Sequence, residues 1–297
     1  MSRYLVTGAA GFMGSHLTEA LLARGDEVVA VDLFTDYYDP SLKLENAHAF
    51  EVLCLDVAED ELPLDGVDGV FHLAAQPGVR ASFEQLDVYL HRNVLATQRV
   101  LEQSGVRVVY ASSSSVYGDA EAYPTPESAH PSPISPYGVT KLACEHLARA
   151  YGSDAVGLRY FTVYGPRQRP DMAFARLVES ALEAREFELY GDASRSFTYV
   201  ADAVAATIGA MDRGTSGAIY NVGGGEEATM REAIDVLERV SGRRLDVRAE
   251  PAARGDARRT AADVSLIARD LGWSPTTSLE DGLAAQWAWA VDRVAAR

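Results

Sequence analysis

Cysteine is nearly missing from this 297-residue chain: Cys54 and Cys144 stand far apart, without metal-ligand spacing. Two such thiols form neither a disulfide framework nor a zinc site, and they read as small, buried or half-buried side chains in a reducing compartment. Long apolar runs are missing too. None approaches the ~18–20 residues that a membrane span needs, and no apolar signal segment precedes the first strand-like stretch, "RYLVTG". The expected location is the cytoplasm, with no membrane partner. Basic charge is scarce: 27 Lys and Arg face 43 Asp and Glu, a formal net charge of −16. That balance argues against nucleic acid as a partner. An anionic substrate would need a locally basic pocket, so clustered arginines become informative. The six histidines (16, 48, 72, 91, 130 and 146) show no metal spacing, and no metal is expected.

What is present is ordinary for a protein that buries a large core: 47% hydrophobic and 24% charged residues, in a length suited to a main domain plus a smaller one. The first half alternates apolar strands with amphipathic helices. "RYLVTG", "DEVVAVD", "FEVLCLDV", "GVDGVFHLAA" and "VRVVYASS" read as five strands, and "DAVGLRYFTVYG" as a sixth. "SHLTEALLARG" reads as a helix stopped by Gly25. Such alternation predicts a parallel sheet covered on both faces. From about Gly165 the pattern turns to longer helices and polar loops, although "SFTYVADAVAATIGAM" and "AIYNV" look able to return to the sheet. The expected division is residues 1–164, with returns near 198–222, and then mainly 165–297.

"TGAAGFMG" sets Gly8, Gly11 and Gly14 at three-residue spacing between the first strand and the first helix. Glycines permit a tight turn and close backbone approach to a pyrophosphate. The helix N-terminus adds free N–H groups and roughly half a positive charge. Asp32 closes the second strand 18 residues after Gly14, where an acid accepts the adenine ribose hydroxyls. A carboxylate there repels a 2′-phosphate, so the expected cofactor is NAD and not NADP. Asp56 and Val57, read as the end of the third strand, would sit at the adenine. Further on, "SPYGVTKLACEHLARAY" holds Tyr137 and Lys141 one helical turn apart on one face. For a phenol to act as a base near neutrality, its phenolate needs about 4 kcal/mol of stabilisation. One unit charge at ~4 Å supplies that at an effective dielectric of ~20.

The glycine spacing and the Tyr–Lys pair resemble the extended short-chain dehydrogenase/reductases, in their nucleotide-sugar branch. "TDYYDPSLK", "LAAQPGVRASFE", "SSSSVYG", "YFTVYGPRQRPDMA" and "RSFTYVADA" resemble the UDP-glucuronate 4-epimerases over nearly the whole chain. That likeness implies an α/β fold: a Rossmann-type doubly wound parallel sheet with a smaller α+β substrate-binding domain. It implies NAD contacts from the residues already named and from Phe12, Met13, Thr35, Lys43, Leu73, Ala74, Ala75, Asn93 and Tyr160. Thr162 and Arg169 would meet the uronate carboxylate, and Arg195 and Arg254 the diphosphate or nucleoside. Pro77, Arg80 and Asp256 would complete the substrate side. Leu33 and Thr35 depart from the family's usual asparagines. Two helices, in "RNVLATQRVLEQ" and "YGVTKLACEHLARAY", correspond to those that pair in homodimers of the superfamily, so a homodimer is expected.

The run "SSSS" (112–115) resembles a linker in composition but lies at the end of the fifth strand, where open parallel sheets bind ligands. By the resemblance, Ser113 or Ser114 would hydrogen-bond the sugar C4 oxygen beside Tyr137. Related dehydratases carry an Asp–Glu pair where Ser114 and Ser115 stand, and related decarboxylases carry Glu at the latter position. A serine is a poor general acid, which favours epimerisation. Epimerisation of UDP-glucose, decarboxylation of UDP-glucuronate, and a non-catalytic NAD-binding regulator are the competing readings.

Overall fold

The computed structural model describes residues 1–224, 227–252 and 254–295. The chain opens with β1 (Arg3–Thr7), α1 (Phe12–Arg24), β2 (Glu27–Asp32), α2 (Pro40–Asn46), β3 (Val52–Cys54) and β4 (Gly69–His72). A continuous helical stretch follows: α3 (Leu86–Tyr89), a π-helical segment at Leu90–Leu95, and α4 (Ala96–Gln103). Then come β5 (Arg107–Ser113), α5 (Pro136–Tyr151), β6 (Ala155–Tyr160), β7 (Thr162–Tyr164), α6 (Ala173–Glu183), β8 (Phe187–Tyr190) and β9 (Ser194–Tyr199). The last stretch holds α7 (Val200–Arg213), β10 (Ile219–Val222), β11 (Glu227–Thr229), α8 (Met230–Ser241), β12 (Val247–Glu250), β13 (Arg259–Thr260), α9 (Ser265–Leu271) and α10 (Leu279–Ala295).

Seven strands form one parallel sheet in the order β10-β6-β5-β4-β1-β2-β3. The order reverses between β1 and β4, and ligands of open α/β sheets bind outside the strand ends at that reversal. Both faces are covered. Leu17, Leu21, Ala203, Ala206 and Ile267, from α1, α7 and α9, pack with Val6, Phe71, Val109 and Leu158. Ala96, Val100, Leu101 and Ala148, from α4 and α5, pack with Leu5, Val70 and Val108. A further core gathers Phe174, Leu177, Phe187, Phe197, Leu237 and Leu283, beneath the smaller sheets β11-β9-β13 and β12-β8.

Two strands differ from expectation. The sixth splits at Phe161: β6 pairs with β10 and β5 in the large sheet, whereas β7 pairs with β9 in a smaller one. Phe161 is the hand-over, its N–H bonded to Val222 O at 2.9 Å and its ring packed on Val116 and Tyr117. The third strand stops at Cys54, so Asp56 and Val57 lie in the loop beyond it. There the Asp56 carboxylate accepts the Ala58 N–H at 2.9 Å, an Asx turn that ends the strand.

Candidate active site

A cleft of about 800 Å³ opens over the carboxyl ends of β1, β4 and β5 and extends beneath β8 and β9. Gly8, Gly11, Phe12, Met13 and Gly14 line it, together with Asp32, Thr35, Lys43, Asp56, Val57, Leu73, Ala74 and Ala75. The glycines are dictated by space. Gly8 turns with φ +73°, and a Cβ on Gly14 would lie 2.0 Å from Gly8 O, so only glycine lets α1 start this close to the strand. Gly11 is the N-cap of α1 and provides no capping side chain, so the first turn presents bare N–H groups to the cleft. Asp32 is fixed by the N–H groups of Ala10 (3.2 Å) and Phe34 (2.8 Å) and by Lys43 Nζ (3.3 Å). Lys43 also donates to Thr35 Oγ1 at 3.2 Å. An anion-accepting helix end beside a buried, oriented carboxylate fits a dinucleotide: pyrophosphate at the glycines, ribose hydroxyls at Asp32.

On the far wall, α5 carries the Tyr–Lys pair. Its start is set by Ser135, whose Oγ accepts the Gly138 N–H at 3.1 Å, and by Pro136 at the first helical position. Lys141 is buried, donates to Ala111 O at 2.9 Å, and holds its ammonium 5.9 Å from the Tyr137 ring centroid. The Tyr89 ring meets Tyr137 edge-on at 6.3 Å. Ser113, Ser114 and Ser115 line the cleft beside Tyr137, and Ser113 Oγ accepts the Ser115 N–H at 3.1 Å. Ser112, also at the cleft wall, donates its hydroxyl to Glu145. Tyr160 lines the floor. Its hydroxyl is held by Thr207 at 2.7 Å, and burial pushes the phenol above its ordinary range.

Beneath the smaller sheets the cleft is lined by Pro77, Arg80, Thr162, Arg169, Arg195 and Asp256. Basic groups outnumber acidic ones along it, against the charge of the whole chain. Burial lowers the Arg195 guanidinium below its usual value, and it pairs with no carboxylate among the described residues. A desolvated, unpaired cation in a cleft is suited to a phosphate. Arg169 is different: its Nε and Nη2 each donate to Asp171 at 3.0 Å. Burial would lower it, but Asp171 more than offsets that and holds it above the usual value. Arg80 stacks on Tyr190 at 4.5 Å and lies 3.6 Å from Asp256.

Two expected contacts are not brought to the cleft. Asn93 lies behind the wall, its amide spent on Gln76 N (2.7 Å), Gln76 O (3.2 Å) and Thr140 Oγ1 (3.0 Å). It pins the loop after β4 to α5. Arg254 stacks on Phe83 at 4.2 Å instead of lining the pocket.

A profile of the NAD dependent epimerase/dehydratase family matches residues 4–223. The chain belongs to that family. It is 40% identical, across 95% of each chain, to "Uncharacterized UDP-glucose epimerase YtcB" of Bacillus subtilis (strain 168). It superposes with TM-score 0.94 and 39% identity, over 98% of this chain and 99% of the other, on UDP-glucuronic acid 4-epimerase from Bacillus cereus in complex with UDP-glucuronic acid and NAD. MoeE5 in complex with UDP-glucuronic acid and NAD is 42% identical with TM-score 0.88, over 98% of this chain and all of the other.

As a member of this NAD-dependent family the protein has further lining residues that sequence reasoning missed. Tyr37, Tyr38, Asp171, Arg176, Phe187, Leu189 and Tyr190 all face the cleft. Lys43 and Lys141, both expected at this site, are the only two lysines in the chain, and both line it. Elsewhere its basic residues are arginines. A compact ammonium on a flexible stem is retained where it must reach a buried oxygen.

Proposed function

We propose that the protein interconverts UDP-glucuronate and UDP-galacturonate by epimerisation at C4. The observation that carries this reading is the convergence of Tyr137, Lys141 and Arg169 on one cleft whose strand end offers serines where dehydration and decarboxylation need acids. The UDP-glucuronic acid and NAD bound by the Bacillus cereus 4-epimerase and by MoeE5 support it. When bound, NAD supplies the site that takes up and returns one hydride. Tyr137 Oη removes the C4 hydroxyl proton as the C4 hydride leaves, and the Lys141 ammonium stabilises the phenolate. Ser113 or Ser114 hydrogen-bonds the C4 oxygen. The resulting keto sugar turns over in the pocket, hydride returns to its opposite face, and Tyr137 gives the proton back. The 4-keto uronate is a β-keto acid, and Thr162 and Arg169 hold its carboxylate in an orientation that disfavours loss of CO₂. Arg195 binds the diphosphate, and the substrate side is completed by Pro77, Arg80 and Asp256.

A second reading, C4 epimerisation of UDP-glucose, is favoured by one observation: Arg169 already carries a carboxylate partner, Asp171. The test is direct. Enzyme and NAD are mixed separately with UDP-glucuronate, UDP-glucose and dTDP-glucose, products are resolved by NMR, and CO₂ is monitored. UDP-galacturonate without CO₂ is expected; a pentose or a 4-keto-6-deoxy sugar refutes the reading. Arg169→Ala should lower turnover of the uronate at least tenfold more than that of UDP-glucose, the loss of a charge-assisted bidentate contact. Equal losses remove its assigned role.

The reading extends to organisation. The separate core beneath the smaller sheets supports an NAD-binding unit, residues 1–164 with returns near 198–222, and a substrate-binding remainder. Exposed Leu86, Leu90, Leu95 and Val139, on the α3–α4 stretch and on α5, support a homodimer through these helices, tested by light scattering. The free, exposed Cys54 fits a reducing cytoplasm.

A further inference from the structure

Arg169 presents only part of its guanidinium to the cleft. Its Nε–Nη2 edge is taken by both oxygens of Asp171, each at 3.0 Å. Asp171 is itself fixed from across the cleft by Tyr37, whose hydroxyl donates to Oδ2 at 3.3 Å, and the guanidinium lies 6.0 Å from the Tyr37 ring centroid. Nη1 has no partner among the described residues. The remaining edge, Nη1 with the second hydrogen of Nη2, matches a carboxylate bidentately. One guanidinium can therefore hold two carboxylates, one built in and one brought by the substrate.

We propose that Asp171 is a specificity-determining, positioning residue: by sharing Arg169 it sets how strongly the site prefers a uronate over a neutral hexose. This rests on the carboxylate role of Arg169 proposed above. With Asp171 in place, a neutral C6 hydroxymethyl group meets a neutralised ion pair and strands no desolvated cation. A uronate carboxylate meets a cation already half spent and feels a second carboxylate a few ångströms away. The pair thus narrows discrimination and makes both UDP-glucuronate and UDP-glucose acceptable. Without the Asp171 charge, Arg169 favours the uronate and penalises the neutral sugar.

The test is the ratio of kcat/KM for UDP-glucuronate to that for UDP-glucose, with each Kd measured by calorimetry on the NAD-loaded enzyme. Asp171→Asn should raise the ratio about tenfold, the size of one charge interaction at this range between dielectrics of ~20 and ~80. The change should appear mainly in KM and Kd. Asp171→Ser should act in the same direction, which keeps the test valid if one variant fails to fold. Asp171→Glu should stay within about threefold of the parent. An unchanged or lowered ratio in both uncharged variants overturns the proposal and leaves Asp171 a loop-fixing residue. Arg169→Ala separates the two readings: if it leaves the ratio unchanged, the carboxylate role itself is wrong. If it collapses the ratio while Asp171→Asn does not raise it, only the sharing by Asp171 is wrong.

Discussion

At the scale of single residues the site depends on small side chains next to reactive ones. Gly138 follows Tyr137, and a Cβ there would lie 2.5 Å from Ser115 O and 3.0 Å from Pro133 Cβ. Only hydrogen in that place lets the start of α5 rest on the serine turn, which fixes the spacing between Tyr137 and Ser113. Gly138→Ala is expected to cost about 1–3 kcal/mol through overpacking. It should also lower kcat by about 10²-fold, since a displacement near 1 Å is enough for that. Thermal unfolding and steady-state kinetics read the two effects separately; a fall in stability with kcat intact would show that Tyr137 tolerates the shift. The Tyr–Lys pair was legible in the sequence because i and i+4 share a helix face whatever the rest of the chain does. The need for glycine between them was not, because the atom it avoids belongs to another loop.

Among elements, the decisive contact is α5 against β5. Tyr137, Lys141 and Glu145 follow at four-residue intervals along one face. Lys141 bonds Ala111 O at 2.9 Å, and Glu145 accepts from Ser112 Oγ at 2.5 Å. The helix is thereby fastened to the strand whose end bears Ser113. Glu145 is itself gripped by Arg159 of β6, through Nε at 2.9 Å and Nη2 at 2.7 Å, with both side chains 5% exposed. Arg159 continues to Tyr117 Oη at 2.7 Å, which donates to Asn221 of β10 at 2.7 Å. Glu145→Gln leaves a buried cation underpaired and should cost about 3–5 kcal/mol in urea unfolding. The double replacement Glu145→Leu with Arg159→Met should cost clearly less, because no lone charge remains. If the double variant is the less stable of the two, the pair is net stabilising and its Coulombic attraction outweighs the desolvation of both charges. Alternating apolar segments announced these strands and helices, but nothing local announced the network, since its members come from β5, the turn after it, α5, β6 and β10. The shortening of the third strand and the break at Phe161 escaped for the same reason: sheet partners decide where pairing stops.

For the whole molecule, the consequence most open to measurement is its response to acid. His72 is buried between Thr7 Oγ1 (2.8 Å) and Thr97 Oγ1 (3.1 Å), and burial, with Lys141 nearby, lowers it from 6.5 to about 3. His16, whose Nε2–H donates to Pro166 O, is also lowered, chiefly by burial. Between pH 6.5 and about 3 the unfolded chain therefore binds a proton at position 72 that the folded chain refuses. Stability consequently rises with pH in that window and is lost as pH falls, by up to roughly 1.4 kcal/mol per pH unit. His72→Asn should flatten urea-midpoint profiles between pH 6.5 and 5, whatever its effect at neutral pH. An unchanged slope would mean that His72 takes up its proton in the fold.

Parts encoded over short spans were legible without the fold: the glycine turn into α1, Asp32 at the end of β2, the Tyr–Lys turn of α5, and the alternation that dictates a covered parallel sheet. Local sterics and helical or strand periodicity fix these, and neither needs a distant partner. The folded chain, and no local pattern, made Asn93 clamp a loop instead of lining the cleft and stacked Arg254 on Phe83. It also brought Tyr37 across 134 residues of chain to Asp171, the carboxylate that Arg169 holds from two residues away. Topology sets such long-range pairings, because side chains far apart in sequence must first be carried to the same cleft.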